Sequence, residues 1–513
     1  MIAVAVLLAA PLLAAVLSLR LRAPGTLHAV TLAAMAVTVG GAIGVTARLL
    51  DEGPFLAYYD LVSVDGLTVF VLLIMTVIGL MFALYSRTYL DHYLAAGTIT
   101  PKRISRYYCL FHLFMFAMVA AVLVNSLGLL WVAIEGTTLA TTFLINFFKR
   151  RESLEAGWKY LILCSVGIAL ALFGTVLMYS SSVRALGEVS GALNVTELLR
   201  VAGQLDPQIV KLAFVFILIG YGTKIGLAPM HTWVPDAYSE APAPVSAMLA
   251  GVLETVAVYA VLRCKTVVDA VVAPGYAGTL FILFGFISFV IAAFFLLLQR
   301  DVKRLFAYSS IEHMGIAAIG FGAGGIGTFG ALWHLLGHAL AKSLAFFAAG
   351  NVRMRFGTRQ IDRVTGLMHV LPVTALALIV ATLALVGLPP FALFVSELSV
   401  LSALSAQVHA GNTFHLGQFL TITIADGVRN LALVALFLVA SLVAFGGLMY
   451  RVMGMVWGAP SDGVSRGEIL WSRGHAVFAV SGGLLLIAGL MMPESLHRVM
   501  ELAVKTVTTG SMK

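Results

Sequence analysis

The sequence predicts an all-α integral membrane protein of about 14 transmembrane helices, and three observations lead there. Of its 513 residues 60% are hydrophobic and 11% charged, with a mean hydropathy of +1.00, outside the range of soluble domains. Apolar stretches of about 17 to 25 residues recur from end to end, each long enough to cross about 30 Å of hydrocarbon as a helix. The short alternating segments of a membrane barrel do not occur, which leaves helices as the way to satisfy the backbone in lipid.

Fourteen spans are centred near residues 10, 37, 73, 116, 137, 169, 219, 253, 287, 313, 338, 386, 444 and 483. The first begins MIAVAVLLAAPLLAAVLSL and meets Arg20 and Arg22 only after its apolar run, the reverse of a cleaved signal peptide, so a retained helix is expected. Cys109, Cys164 and Cys264 stand singly, without metal or disulfide spacing. A pI near 9.4 follows from basic loops and gives no ground for nucleic-acid binding.

Those loops orient the chain. With an outer N-terminus, the inner loops hold 19 basic residues: Arg20, Arg22, Arg87, Lys102, Arg103, Arg106, Lys149, Arg150, Arg151, Arg300, Lys303, Arg304, Arg353, Arg355, Arg359, Arg363, Arg451, Arg466 and Arg473. The outer loops hold six: Arg48, Arg184, Arg200, Arg263, Lys265 and Arg429. Both termini are therefore expected on the outer, periplasmic side of a bacterial or archaeal inner membrane. Lys159 and Lys211, near span ends, are expected to snorkel. The tail from Glu494 to Lys505 spaces acid before base at i,i+4 beside Leu496, Val499, Met500 and Val504, the pattern of a short amphipathic interfacial helix.

Six spans carry ionisable residues where lipid is expected: Glu135; Lys224; Glu254; Glu312 with His313; His334, His338 and Lys342; and Glu397. Each such group costs about 2.5 to 3.5 kcal/mol on insertion scales, so six at similar depth form a polar file more readily than six accidents. His334, His338 and Lys342 follow one another at i, i+4 and i+8, one row along about 12 Å of a helix face. Glu135 is the natural counter-charge for Lys224. An acid beside a buried lysine makes a switchable proton site, and the plainer alternative is a static ion pair locking two helices. His112, alone in CLFHLFMF, reads as a hydrogen-bonded core residue.

Two spans are interrupted alike. KIGLAPMH places Gly226 and Pro229 in span seven, and LVGLPPFALF places Gly387, Pro389 and Pro390 in span twelve. Proline removes an amide donor and clashes with the preceding turn, so both helices should break, and such breaks are tolerated where they line a polar cavity. Span twelve is the fifth after span seven, so the breaks run in opposite directions, the pattern of an inverted repeat. The expected division is 1–106, an N-terminal three-span segment; 107–265, the first repeat (spans four to eight); 272–457, the second (spans nine to thirteen); and 458–513, the last span with its tail.

The stretch MHTWVPDAYSEAPAPVSAMLAGVL, together with HLLGHALAKSLAFFAAGN and RDVKRLFAYSS, resembles the antiporter-like subunits of respiratory complex I, Mrp cation/proton antiporters and membrane-bound nickel–iron hydrogenases. WVAIEGTTLATTFLI, SLEAGWKYLILCSVGIALALFGTVL and AYSSIEHMGIAAIGFG are most similar to component F of hydrogenase-4 and formate hydrogenlyase complexes. The resemblance covers nearly the whole chain and implies fourteen helices with an inverted repeat. It maps the family's span-five glutamate to Glu135, the broken-helix lysine to Lys224, the central span-eleven residues to His334, His338 and Lys342, and the span-twelve residue to Glu397. A lysine or histidine common in span eight is replaced here by Glu254 and Thr255, leaving Glu254, Glu312 or His313 as the bridge between halves.

The resemblance implies a proton-translocating subunit without a cofactor of its own. Its partners would be other membrane subunits and a peripheral redox arm, carrying iron–sulfur clusters and a nickel–iron centre in the hydrogenase type. A cation/proton antiporter of Mrp kind and the membrane subunit of an energy-coupled inorganic-carbon uptake complex are the alternatives.

Overall fold

The computed structural model describes residues 1–187, 189, 191–272, 275–406, 426–460, 467 and 473–510, the side chains of 426–430, 473 and 474 excepted. Arg466 and Lys513, and the side chains of Arg429 and Arg473, fall outside what is described.

The first half begins with α1 (Ile2–Arg20), α2 (Pro24–Glu52), a short hairpin of β1 (Phe55–Ala57) and β2 (Val62–Val64), and α3 (Gly66–Ala95). It continues with α4 (Pro101–Leu123), α5 (Leu127–Ile145), the 36-residue α6 (Arg151–Leu186), the short α7 (Val195–Arg200), α8 (Pro207–Ile225), α9 (Trp233–Glu240) and α10 (Ala243–Met248). A π-helical turn, Leu249–Leu253, joins α10 to α11 (Glu254–Val271). Then come α12 (Tyr276–Leu298), α13 (Val302–Ala323), α14 (Ile326–Phe356), the short α15 (Leu367–Val370), α16 (Pro372–Leu385) and α17 (Ala392–Ala406). The chain ends with α18 (Asp426–Val456), α19 (Arg473–Leu490) and α20 (Glu494–Thr509).

Local chemistry starts several of these helices. Asp65 accepts from the Thr68 amide at 3.0 Å ahead of α3. Asp206 accepts from the amides of Gln208 and Ile209 ahead of α8, where Pro207 supplies a first residue that needs no amide partner. Asp301 does the same for Lys303 and Arg304 at α13.

Thirteen of the fourteen expected centres fall inside helical segments, and the remaining one, residue 386, falls at the break between α16 and α17. Among the described residues eleven helices are long and apolar enough to cross a membrane. Three of the expected spans miss that mark when taken singly: α13, whose middle holds Ser309, Ser310, Glu312 and His313; the two short pieces α16 and α17; and α19.

The helix from Ala243 to Val271 and α14 form the buried centre: 100% and 94% of their apolar windows are covered, against 28% for the helix Leu431–Val456. α14 packs on α3, α10, α13, α16, α17 and α19. Around this centre α6 lies against α8, and α12 against α13, through glycines that admit no side chain. A Cβ at Gly220 would stand 2.6 Å from the Gly167 carbonyl oxygen, and one at Gly315 would stand 2.8 Å from that of Gly285. Small residues at such crossings let helix backbones approach where lipid offers no hydrophobic drive to pack.

The tail forms a helix, as its pattern predicts, and docks on the start of α3, burying Val499, Met500, Ala503 and Val507. Its described ion pair joins His497 and Glu501 at 3.5 Å, while Arg498 donates to the Leu50 carbonyl at 3.2 Å. Among the described residues four expected as loop cations, Arg263, Lys265, Lys303 and Arg353, are instead buried. Arg263 forks onto Asp65, 2.5 and 2.8 Å, and also donates to Thr68. Lys303 donates to the carbonyls of Ser239 and Ala241, satisfying the end of α9.

Candidate functional site: a buried polar file

Span seven breaks where its sequence says it should. α8 ends at Gly226 with φ of 84°, and α9 restarts at Trp233. Span twelve breaks at Gly387, φ 64°, between α16 and α17. The bonds Ala228–Pro229 and Pro389–Pro390 are both cis.

Lys224, fully buried in the last turn of α8, donates to the Tyr160 hydroxyl of α6 at 2.8 Å and lies 3.5 Å from the Thr137 hydroxyl of α5. Its contact with Glu135 is indirect. No Lys224–Glu135 ion pair within 4.0 Å occurs among the described residues, and the half-buried glutamate instead accepts from Thr138 at 2.9 Å. The Tyr160 hydroxyl, 2.7 Å from that of Thr141 on α5, joins the two sides. The hydroxyls of Tyr160 and Thr141 thus tie Lys224 to α5, the helix that bears Glu135.

From Tyr160 a row of rings leads inward. Its ring centroid lies 4.9 Å from that of Trp233, which is 5.8 Å from Tyr238. The Trp233 indole donates to the Thr223 carbonyl in the last turn of α8, 2.8 Å. Tyr238 donates to Oε1 of Glu254 at 2.5 Å. Glu254 follows the π-helical turn directly, and its Oε2 has no hydrogen-bond partner but lies 3.9 Å from Nε2 of His338. Turns of this kind recur at functional positions, since the extra residue re-aims the side chain that follows.

The far end is denser. The His313 and His338 rings are 5.3 Å apart, and Nδ1 of His313 faces Nε2 of His334 at 3.0 Å, a spacing for one shared proton. Nδ1 of His334 meets the Ser396 hydroxyl of α17 at 2.9 Å. Lys342 is fully buried and donates to the Phe306 carbonyl at 2.9 Å, while Glu312, also buried, keeps one oxygen without a partner. The half-buried Glu397 folds back on the second break, so that a Cβ at Gly387 would stand 2.5 Å from its Oε2. Ligand atoms of His313, His334 and Glu397 lie within 4.8 Å of one another, but His334 already has both nitrogens engaged, the geometry of a relay more than of an open metal centre.

Lys224, Glu254, His338, His313, His334 and Glu397 are thus joined in one row of close approaches through the rings of Tyr160, Trp233 and Tyr238, while Glu312 and Lys342 are buried on α13 and α14 and Glu135 is half-buried on α5. Tyr160, Tyr238, Trp233 and Ser396 complete the row and were not singled out by the sequence, in which hydroxyls and aromatics carry no cost that flags them. His112 is a core residue as expected, 3.2 Å from the Thr31 hydroxyl. Lys159 pairs with Glu155 and Asp236 instead of snorkelling free, and Lys211 lies over the Tyr276 ring.

A bundle of apolar helices threaded by ionisable groups and interrupted twice defines a polytopic membrane protein of antiporter-like type. The chain belongs to the transmembrane family described as NADH:quinone oxidoreductase/Mrp antiporter, which matches residues 124–424. It is 44% identical over 345 residues to a hydrogenase-4 component F homolog of Methylacidiphilum infernorum, covering 67% of this chain and 72% of that one. It is 33% identical over 404 residues to NADH-quinone oxidoreductase subunit N of Desulforudis audaxviator, covering 75% and 76%. The fold matches a chain of the archaeal membrane-bound sulfane sulfur reductase, with a TM-score of 0.81, 24% identity and coverage of 99% and 97%. It also matches a chain of the Mrp complex from a Dietzia species, at 0.82, 19%, 100% and 98%.

Proposed function

We propose that the chain is a proton-translocating subunit of a membrane-bound redox complex of the hydrogenase-4, formate hydrogenlyase or NADH–quinone oxidoreductase kind. The observation that carries this reading is the buried file from Glu135 to Glu397. Buried polar groups cost energy unless satisfied, and partly satisfied groups in a row are sites for bridging water and mobile protons. The unpartnered oxygens of Glu254 and Glu312 and both nitrogens of His338 are such groups.

On this reading electron transfer in partner subunits perturbs the Glu135–Tyr160–Lys224 group, and protons pass by Glu254 to His338, Lys342, His313 and His334 toward Glu397. The redox centres, iron–sulfur clusters and a nickel–iron centre, belong to a peripheral arm. The chain crosses an inner membrane fourteen times with both termini outside, as two inverted repeats, 107–265 and 272–457, after an N-terminal segment and before a final span. The basic loops and the two matched breaks support that topology.

Purification of the intact assembly in mild detergent, followed by identification of its subunits, tests the class. Hydrogenase and iron–sulfur partners are the expected result. A set of small cation/proton antiporter subunits, or a large zinc protein of carbonic-anhydrase type, would overturn it in favour of antiport or inorganic-carbon uptake. The fold match to an Mrp chain makes antiport the second reading.

A further inference from the structure

The two broken spans repeat each other residue by residue. In the first, the Gly226 amide donates to Thr223 at 3.2 Å, Leu227 to Gly222 at 2.9 Å and Met230 to Leu227 at 3.1 Å. In the second, Gly387 donates to Ala384 at 3.1 Å, Leu388 to Leu383 at 3.2 Å and Phe391 to Leu388 at 3.1 Å. Counting from the glycine, every donor and every acceptor falls at the same offset. This backbone register aligns GLAPMHTWVPD with GLPPFALFVSE, matching Gly226 with Gly387, Leu227 with Leu388, Pro229 with Pro390 and Val234 with Val395. The residue that pairs with Lys224 is Leu385, which is apolar. The residue that pairs with Glu397 is another carboxylate, Asp236.

Asp236 lies on α9 with its side chain 21% exposed. Lys159 of α6 reaches its Oδ2 at 3.1 Å, and Arg304 of α13 contacts its Oδ1. The neighbouring residue on α6, Tyr160, is the one that holds Lys224. Trp233, three residues before Asp236, packs its ring on Tyr160. One carboxylate therefore meets elements of both halves of the chain, at the face that bears Arg300, Arg304 and Arg359. Its partner Lys159 adjoins in sequence, and its helix-mate Trp233 in ring contact, the Tyr160 that holds Lys224.

We propose that Asp236 is the portal carboxylate of the file on this arginine-rich face, the counterpart of Glu397 at the other end, with Lys159 and Arg304 as its latch. The proposal rests on the proton-transport reading. In the latched state Lys159 and Arg304 occupy the two carboxylate oxygens of Asp236. When the latch opens, the carboxylate takes a proton from hydronium in the aqueous phase and passes it through bridging water to the Tyr160 hydroxyl, which hands its own proton to the neutral Lys224 amine. The ion pair then re-forms on the regenerated carboxylate.

The test uses the intact complex in sealed membrane vesicles, reading protons moved per electron and passive proton leak for the wild type and for Asp236→Asn, Asp236→Glu, Arg304→Gln and Lys224→Met. The expected result is an at least tenfold loss for Asp236→Asn, retention for Asp236→Glu, and a raised passive leak for Arg304→Gln, which keeps the carboxylate and loosens the latch. Wild-type translocation by Asp236→Asn would overturn the proposal. So would equal losses in Asp236→Asn and Arg304→Gln without any leak, the signature of a merely structural clamp. If Asp236→Asn does not assemble, the charge-balanced pair Asp236→Asn with Arg304→Gln replaces it, with the same loss expected and wild-type translocation again contradicting the proposal. Normal translocation by Lys224→Met would defeat the transport reading itself, a result distinct from failure at Asp236.

Discussion

Glu254 accepts a 2.5 Å hydrogen bond from Tyr238 on one oxygen and turns the other toward His338, 3.9 Å away. An acid therefore stands between Tyr238 and His338 in the span where the resemblance implies a lysine or histidine. If it relays protons, Glu254→Gln keeps the Tyr238 contact but cannot cycle a proton. Protons moved per electron in native vesicles should fall at least about tenfold, within the range general acid–base groups contribute. Wild-type coupling would remove Glu254 from the path.

Tyr160 tests how Lys224 is held against α5. Tyr160→Phe retains the ring against Trp233 and deletes the hydroxyl that meets both Lys224 and Thr141. Translocation should slow several-fold, while the loss of a buried hydrogen bond costs about 1 kcal/mol of stability. A parallel thermal-shift measurement separates the two effects.

Much of this site is legible in the sequence because charge in lipid is expensive. Lys224, Glu254 and Lys342 announce themselves against apolar neighbours, and Gly226–Pro229 and Gly387–Pro390 mark the breaks. The rest is hidden for physical reasons. Tyr160, Tyr238 and Ser396 are ordinary residues of membrane helices, and only packing reveals which hydroxyl faces the file. Asp236 follows a break and reads as a span-end charge until the two breaks are set in register. Arg263 and Lys303 counted correctly as basic residues near span ends, but sequence has no signal that their partners, Asp65 and the α9 carbonyls, draw them inside.

Gly387 combines two constraints. Its φ of 64° favours glycine, and a Cβ there would meet the Glu397 carboxylate at 2.5 Å. Gly387→Ala should therefore displace Glu397 and cut translocation markedly while the complex still assembles. The control Gly446→Ala, where the added Cβ meets nothing within 4 Å, should leave it unchanged.

The Asp65–Arg263 pair predicts a stability effect away from the file. Asp65→Ala strands a buried guanidinium and also removes the cap of α3. The expected cost is about 3 to 5 kcal/mol, seen as a lowered unfolding midpoint of the purified complex in detergent. Asp65→Ala combined with Arg263→Leu should recover part of it.

Lys224 is the proposed proton carrier at the first break, and replacing it with methionine removes the charge while roughly keeping the volume of a buried side chain. Protons translocated per electron, measured in sealed vesicles containing the assembled Lys224→Met complex, test this most directly. The account predicts intact assembly with translocation abolished; translocation at the wild-type ratio would contradict it.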